Sequence, residues 1–322
     1  MRRLALCLAV VVGALVATPT ALADGGPFLV TQGGTGAVSP IHPGLHYVTV
    51  HDGNDRTLLE MVDVVHGGVY GSAGLHGSWG TPLIGYSTGE GLSRDGRTLI
   101  LASTAGAYAS PSRFLVVDAR HLAAIRTIVL HGTFAFDALS PDASRMYLIQ
   151  YTHAAANDLT HYIVRAYDMR TNRLLPGKIA DRSEHEETMA GTAMTRTTSV
   201  DGRWVYTLYQ KPNGEPFIHA LDTVRAAAYC VDLPENKGLY NIALSLRNGG
   251  RTLAVHWRSG RPWLNVATGT WSISYPSTGF PWEWVGSGIG GGLALVAAGA
   301  LLLRRRRGQK LQEHAGQELG LA

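Results

Sequence analysis

The 322-residue chain has little cysteine: there are two, Cys7 and Cys230, and Cys7 falls in a predicted export signal. With Cys230 alone after signal removal, no disulfide forms within the chain, although export would permit one. Stability must therefore come from a packed core, which a domain of about 250 residues is large enough to bury. Cys230, in the apolar run AAYCVDL (227–233), reads as a small packed residue rather than a reactive thiol. A surplus of one charge is missing as well. Residues 1–23 hold two arginines, and five basic and two acidic residues follow Leu303, which leaves 21 basic and 22 acidic residues between. The net charge of +4 thus belongs to the ends. Nucleic-acid binding, which needs a basic face on the folded domain, gains no support. Helical periodicity is also absent outside the two ends, which excludes a helical bundle.

The ends read as targeting segments. Residues 1–23 combine Arg2 and Arg3, an apolar stretch from Leu4 to Ala17, and a small-x-small site at Ala21-Leu22-Ala23. This predicts a secretory signal with Asp24 as the mature start. Cys7 lies too near the N-terminus to accept a lipid. From Val285 to Leu303 the chain is uncharged for 19 residues, and Arg304, Arg305, Arg306 and Arg307 follow. A helix of that length spans a bilayer core, with Trp282 and Trp284 at the interface and the arginines on the cytoplasmic side. The predicted layout is a signal (1–23), an ectodomain (24–275), a juxtamembrane linker (276–284), one transmembrane helix (285–303) and a cytoplasmic tail (304–322). Tyr275-Pro276-Ser277-Thr278-Gly279 resembles the Leu-Pro-x-Thr-Gly wall-sorting signal but departs at its first position. Membrane retention is the main reading, and cell-wall attachment is the minor alternative.

What the ectodomain has in abundance is one recurring statement. LSRDGRTLILAS (92–103), LSPDASRMYLIQ (139–150), SVDGRWVYTLYQ (199–210) and LSLRNGGRTLAVHW (244–257) each place a turn, an Arg and a strand in order. SPIHPGLHYVTV (39–50) is a fifth, worn copy. The anchors His46, Arg97, Arg145, Arg203 and Arg251 are 51, 48, 58 and 48 residues apart. A near-fixed period with strand–turn–strand content is the mark of a propeller. Each unit divides into four strand-like runs, and FLVTQ (28–32) is taken as the first run of the first unit, or as a strand closing the ring on the last. The third run ends in Asp63, Asp118, Asp168 and Asp222, with Asn265 in unit five. Those side chains are expected to accept hydrogen bonds from the amides of the next turn. The fold class is therefore all-β: a β-propeller of about five four-stranded blades plus one C-terminal transmembrane helix. A worn unit within 64–91 would raise the count to six.

Residues 140–148 (SPDASRMYL), 93–100 (SRDGRTLI) and 114–121 (FLVVDARH) resemble the YVTN/WD-like group of bacterial propeller repeats. The resemblance covers roughly residues 28–275. It implies the fold, and it admits lactonases, quinoprotein subunits and binding modules alike. No catalytic position of those enzymes transfers to this chain.

Propeller topology puts the links between blades and the links from second to third strands on one face. In this chain those are the long ones: 75–90, 152–161, 181–191, 211–216 and 234–238. Loops gathered on a rigid scaffold are where binding resides. The candidate contacts are His76, Trp79, Tyr86, His153, Asp158, His161, Glu184, His185 and Glu187. Gly85-Tyr86-Ser87-Thr88-Gly89 fits G-x-S-x-G, but no helix follows Ser87, as a nucleophile elbow requires. His42 and His46 are separated by Pro43 and Gly44, which prevents the helix that would pair them on a metal. No catalytic, cofactor or metal-binding set stands out. The expectation is a membrane-anchored binding module facing outward, its partner another envelope protein or polymer. The alternative is a lactonase-like hydrolase with its site on the long-loop face.

Overall fold

Among the described residues, runs of β-branched and aromatic residues, punctuated by Gly, Pro, Asn and Asp, produce strands and almost nothing else. The computed structural model describes residues 29–53, 55–86, 89–106, 109–154, 158–181 and 189–276. The chain opens on β1 (Leu29–Thr31). A first sheet follows, with β2 (Ala37–Val38), β3 (Leu45–His51), β4 (Arg56–Asp63) and β5 (Gly68–His76). The second holds β6 (Trp79–Leu83), β7 (Thr98–Ser103), β8 (Ser112–Asp118) and β9 (Ala123–Leu130). The third holds β10 (Phe134–Leu139), β11 (Arg145–His153), β12 (Asp158–Asp168) and β13 (Arg173–Leu174), and β14 (Met189–Ala190) also pairs with β12. The fourth holds β15 (Thr192–Thr198), β16 (Trp204–Gln210), β17 (Pro216–Asp222) and β18 (Ala227–Asp232). The fifth holds β19 (Ile242–Arg247), β20 (Thr252–Trp257), β21 (Pro262–Ala267) and β22 (Ile273–Ser274). Five antiparallel four-stranded sheets in chain order fit a β-propeller. Residues 64–91 add no sixth unit, because they build β5 and β6.

The recurring turn is a small hydrogen-bond network. Ser93 Oγ donates to Asp95 Oδ1 (2.7 Å) and accepts from Thr98 N (2.9 Å), while Arg97 N donates to Asp95 Oδ1 (3.1 Å). Ser140, Asp142, Ser144 and Arg145 repeat this pattern, and so do Ser199, Asp201, Arg203 and Trp204. The residue after each Asp takes positive φ: Gly96 68°, Ala143 52° and Gly202 73°. Glycine suits that conformation, and Ala143 adopts it under the same network. The alignment corrects the anchors. Ser144, not Arg145, occupies the place of Arg97 and Arg203. In the first sheet that place belongs to Gly44, since Val64 N bonds to its carbonyl as Ala119 N does to Arg97 O.

The strand-terminal aspartates behave as expected. Asp63, Asp118, Asp168 and Asp222 each accept through Oδ1 from the backbone N–H groups two and three residues on. Asn265 does not belong to this set. It pairs with Ala254 inside β21, and the place of the aspartates falls to Ala267, since Thr268 N bonds to Arg251 O.

FLVTQ also takes another role. Within it, β1 pairs antiparallel with β6 (Val30 opposite Pro82), so it joins the second sheet and neither opens the first nor closes on the fifth. The approach requires Gly80, because a Cβ there would lie 2.6 Å from Thr31 O. The 75–90 stretch is correspondingly no free loop. Pro82 sits in a strand because β6 pairs with β7 only at Trp79 and Gly80, then leaves it. From there the chain makes an inward excursion and returns at Gly91, whose carbonyl accepts from Ile100 N (2.9 Å).

Apolar faces pack between neighbouring sheets. Tyr47, Leu59 and Trp79 meet Leu99, Leu101 and Leu115. Ile100, Phe114 and Phe136 meet Met146, Leu148 and Tyr167. Tyr147, Ile149 and Tyr162 meet Val205, Tyr209 and Phe217, with Ile84 of the excursion buried among them. Each large side chain so buried contributes about 1.5–3 kcal/mol.

Between the third and fourth sheets the core holds charge. Arg196 of β15 donates from Nη2 to Asp137 Oδ1 (2.5 Å) and Thr207 Oγ1 (3.0 Å), and from Nη1 to Asp137 O (2.5 Å). Both side chains are 3% exposed. The register of β10 shifts between Phe136 and Ala138, so Asp137 is the bulged residue and its carbonyl is free of the ladder. Met194 is bulged in β15 in the same way, and its carbonyl accepts from Tyr86 N (2.9 Å).

The turn carboxylates set the acid stability. The Ser140 hydroxyl, first among several donors, holds Asp142 at about 2 against 3.8 unperturbed. Asp118, Asp168 and Asp201 are also lowered by the hydrogen bonds they accept. A carboxylate whose folded pKa is depressed stabilises the fold above its unfolded pKa and ceases to as pH falls through the folded one. Urea unfolding should therefore show a steady loss of stability from about pH 5 toward pH 2. The Asp142→Asn/Asp201→Asn variant should show a shallower loss over that window. An unchanged slope counts against this role.

Candidate functional site

In a four-stranded antiparallel sheet, the first and third turns leave at one end and the second turn and outgoing link at the other. The Ser-x-Asp and Asp turns occupy the first end. At the other end the second strands finish and the third begin, at His51 and Arg56, Ser103 and Ser112, His153 and Asp158, Gln210 and Pro216, and Trp257 and Pro262. Two features concentrate there.

The first is a cavity of about 180 Å³ between the second and third sheets, lined by Phe114, Phe134, Phe136 and Tyr151 together with the polar Ser103, Thr104 and Arg113. Its wall is set by a clamp. Ser112 Oγ donates to Gly132 O (3.0 Å) and accepts from Phe134 N (2.8 Å). Thr57 does the same one sheet earlier, donating to Gly77 O (2.8 Å) and accepting from Trp79 N (2.8 Å). In both clamps the partners are 20 and 22 residues downstream of the hydroxyl. Each clamp ties the third strand of one sheet to the inner strand of the next.

That clamp relocates one predicted contact. Trp79 is 6% exposed and anchors β6 in the core, with Nε1 donating to His76 O (2.5 Å). His76 itself is exposed at the end of β5. Tyr86 is 50% exposed, and its carbonyl accepts from Arg258 Nη2 (3.0 Å). Glu184, His185 and Glu187 lie outside the described residues, as does Ser87.

The second feature unites three predicted contacts. His153 ends β11, Asp158 begins β12 directly opposite it, and His161 follows. Their ligating atoms all lie within 4.8 Å of one another. Asp158 Oδ2 contacts His161 Nδ1 (2.5 Å), and the two imidazoles meet edge to face at 4.8 Å. Thr160 donates to Asp158 Oδ1 from both N (2.8 Å) and Oγ1 (2.6 Å). These bonds, with the Thr160 hydroxyl first, hold the carboxyl at about 2.

Sequence reasoning missed two groups. Trp204, Tyr229 and Trp271 cluster with ring centroids 5.1–6.0 Å apart and brace the fourth sheet against the turn after β21. A cavity of about 190 Å³ opens beside the inner strands, lined by Glu90, Arg94, Asp137 and Arg196 among others. Burial pushes the Glu90 carboxyl up, against the pull of Arg196. Neither group has a sequence signature, because each is assembled from different sheets.

No protein-family model matches the chain, and no curated protein does. Among solved structures it is similar to the Cps50 (Swd1) β-propeller domain of Myceliophteria thermophila, at 13% identity and TM-score 0.42 over 71% of this chain and 64% of that one. It is also similar to TolB of Acinetobacter baumannii, at 12% identity and TM-score 0.42 over 77% of this chain and 56% of that one. The Dos1 propeller gives 11% identity and TM-score 0.43 over 73% and 56%. The chain thus spans less than two thirds of each of these proteins. Such likeness does not extend to function.

The two aromatic candidates should separate in a stability measurement. Trp79→Ala should lose about 3–5 kcal/mol in chemical unfolding, and Tyr86→Ala about 0.5 kcal/mol or less. Similar losses for both would return Trp79 to the surface set.

Proposed function

We propose that the chain is a membrane-anchored, extracytoplasmic binding module of the bacterial YVTN/WD-like kind, taking its partner on the face opposite the Ser-x-Asp turns. The observation that carries this reading is the unequal use of polar groups. On the turn face the aspartates are committed to their own backbone amides. On the other face a largely apolar cavity with a few polar lining residues and a His–Asp–His group stand together, as in sites that orient a ligand with few polar contacts. The partner is another envelope protein or polymer.

Anchoring rests on the sequence of the two ends. No helix among the described residues is long and apolar enough to cross a membrane, and 285–303 lies outside them. The matching experiment is protease treatment of intact cells, with intact mass of the purified chain. The expected outcome is cleavage after Ala23, a membrane-bound chain and an ectodomain digested from outside. An uncleaved N-terminus or a soluble full-length protein would end the topology. For the binding face, Arg113→Glu and His153→Ala should each reduce partner recovery from cross-linked envelopes, whereas Arg170→Glu on the turn face should not.

A hydrolase is the second reading, favoured by Glu90, with its cavity lined by Arg94, Pro141 and Gly202 of the turn face rather than by the long-loop face expected for it. A carboxyl whose affinity for its proton is raised by burial, in a cavity beside Arg196, is of the kind that serves as a general acid. Lactone turnover by the wild type that Glu90→Gln abolishes would choose this reading over the first.

A further inference from the structure

We propose that His153, Asp158 and His161 form a binding site for a divalent transition-metal cation, with zinc as the type case. The donors are two imidazoles and one carboxylate, a set that suits zinc and leaves one coordination position open. The sequence held no metal signature, because His153 and Asp158, five residues apart, would not share a helix face and strand register cannot be read from spacing. The hairpin makes the site instead, by setting His153 opposite Asp158 and returning His161 beside both.

Comparison within the chain separates this group from an ordinary turn. Asp63 with His66, and Asp118 with His121, show the same carboxylate-to-Nδ1 contact over three residues, at 2.7 Å in each case. Both of those pairs close third-strand turns, and each has one histidine. Among the described residues, the set with three ligating side chains is at His153, Asp158 and His161. All three lie on the two longest strands of the third sheet, and His161 is further held by β12 pairing with β14.

The arrangement is close to what a cation needs. Donors around tetrahedral zinc stand about 3.4 Å apart, given metal–ligand distances near 2.0–2.1 Å. Here no separation exceeds 4.8 Å and the Asp158–His161 contact is 2.5 Å, so side-chain shifts of about an ångström, inward for the first and outward for the second, fit the set to a cation. Such shifts meet little resistance where His161 and Asp158 are 39% and 32% exposed and His153 is exposed. Oδ1 of Asp158 is occupied by Thr160, which leaves Oδ2 for the metal. Thr152 Oγ1 meets His153 Nδ1 at 3.1 Å, an outer contact of the kind that orients a metal-ligating imidazole. On binding, the cation displaces the proton from the ligating nitrogen: a neutral ring carries its one proton on the other nitrogen, and a protonated ring releases one to solvent. The open fourth position then accepts water or an anionic group.

This inference does not rest on the binding-module reading, since metal uptake is measured with no partner present. Untagged full-length protein in detergent is titrated with zinc by calorimetry and with cobalt(II) by visible absorption. The expected result is one equivalent bound, with a tetrahedral cobalt spectrum. Affinity should fall as pH falls, because protons compete with the cation for the ligating groups. His153→Ala and His161→Ala should each abolish the cobalt spectrum, and Thr160→Val should weaken binding about ten- to a hundredfold. His66→Gln and His121→Gln should leave both signals unchanged. If a variant loses its circular-dichroism signature, Asp158→Asn, which keeps the shape of the group, supplies the same comparison. Absence of uptake, or uptake that survives His153→Ala/His161→Ala, overturns the proposal.

Discussion

The inner strands of the third and fourth sheets are tied by a buried charge pair. Arg196 and Asp137 are each 3% exposed and meet at 2.5 Å. Taking both charges out of water costs several kcal/mol per ion, and the contact offsets this only with good geometry and further hydrogen bonds. The geometry comes from the bulge at Asp137. It frees a backbone carbonyl for Nη1 while the carboxylate and Thr207 take Nη2. The bulge at Met194 then offers its own carbonyl to Tyr86 N, which docks the excursion from β6 against β15. Gly85 permits the approach, since a Cβ there would lie 2.4 Å from Met194 O. Ile84 and Glu90 enter the interior on the same segment. Two local irregularities in otherwise regular strands thus determine what fills the space beside the inner strands.

From that centre outward the two faces differ in kind. The turn face satisfies itself. Ser, Asp and the backbone close each turn, and Arg94 and Arg145 reach carbonyls of other sheets at Val200, Pro40 and Val224. Substitutions there act on stability. The opposite face carries the Phe-lined cavity and the β11–β12 hairpin with its two histidines. The hydroxyl clamps at Thr57 and Ser112 hold that face in register with the core, so its geometry is set by the scaffold rather than by loops. This is the division expected of a rigid framework that presents function at one end.

The sequence carried the architecture because the repeated turn is local: a Ser, an Asp and a residue tolerant of positive φ lie within six positions. The aspartates that end the third strands are legible for the same reason. Errors arose where a role depends on a distant partner. Trp79 reads as a loop residue because Gly80 and Pro82 interrupt its strand. Both interruptions have long-range causes, the close approach of β1 and the departure from β7. Asn265 was chosen by type, yet the register puts Ala267 at that place. Arg196 and Asp137 looked like ordinary strand residues, since a bulge leaves no mark on alternation. At the candidate site, His153, Asp158 and His161 were legible as contacts of one face. Their convergence was not, because it follows from hairpin register.

The most direct measurement is a double-mutant cycle on the central pair, using Asp137→Leu, Arg196→Met and the two combined in chemical unfolding. Each single change should cost about 3–5 kcal/mol, because it strands an unpaired buried charge, and the combined change should cost far less than their sum. Small, additive losses of about 1 kcal/mol or less would mark an ordinary surface contact and contradict the account.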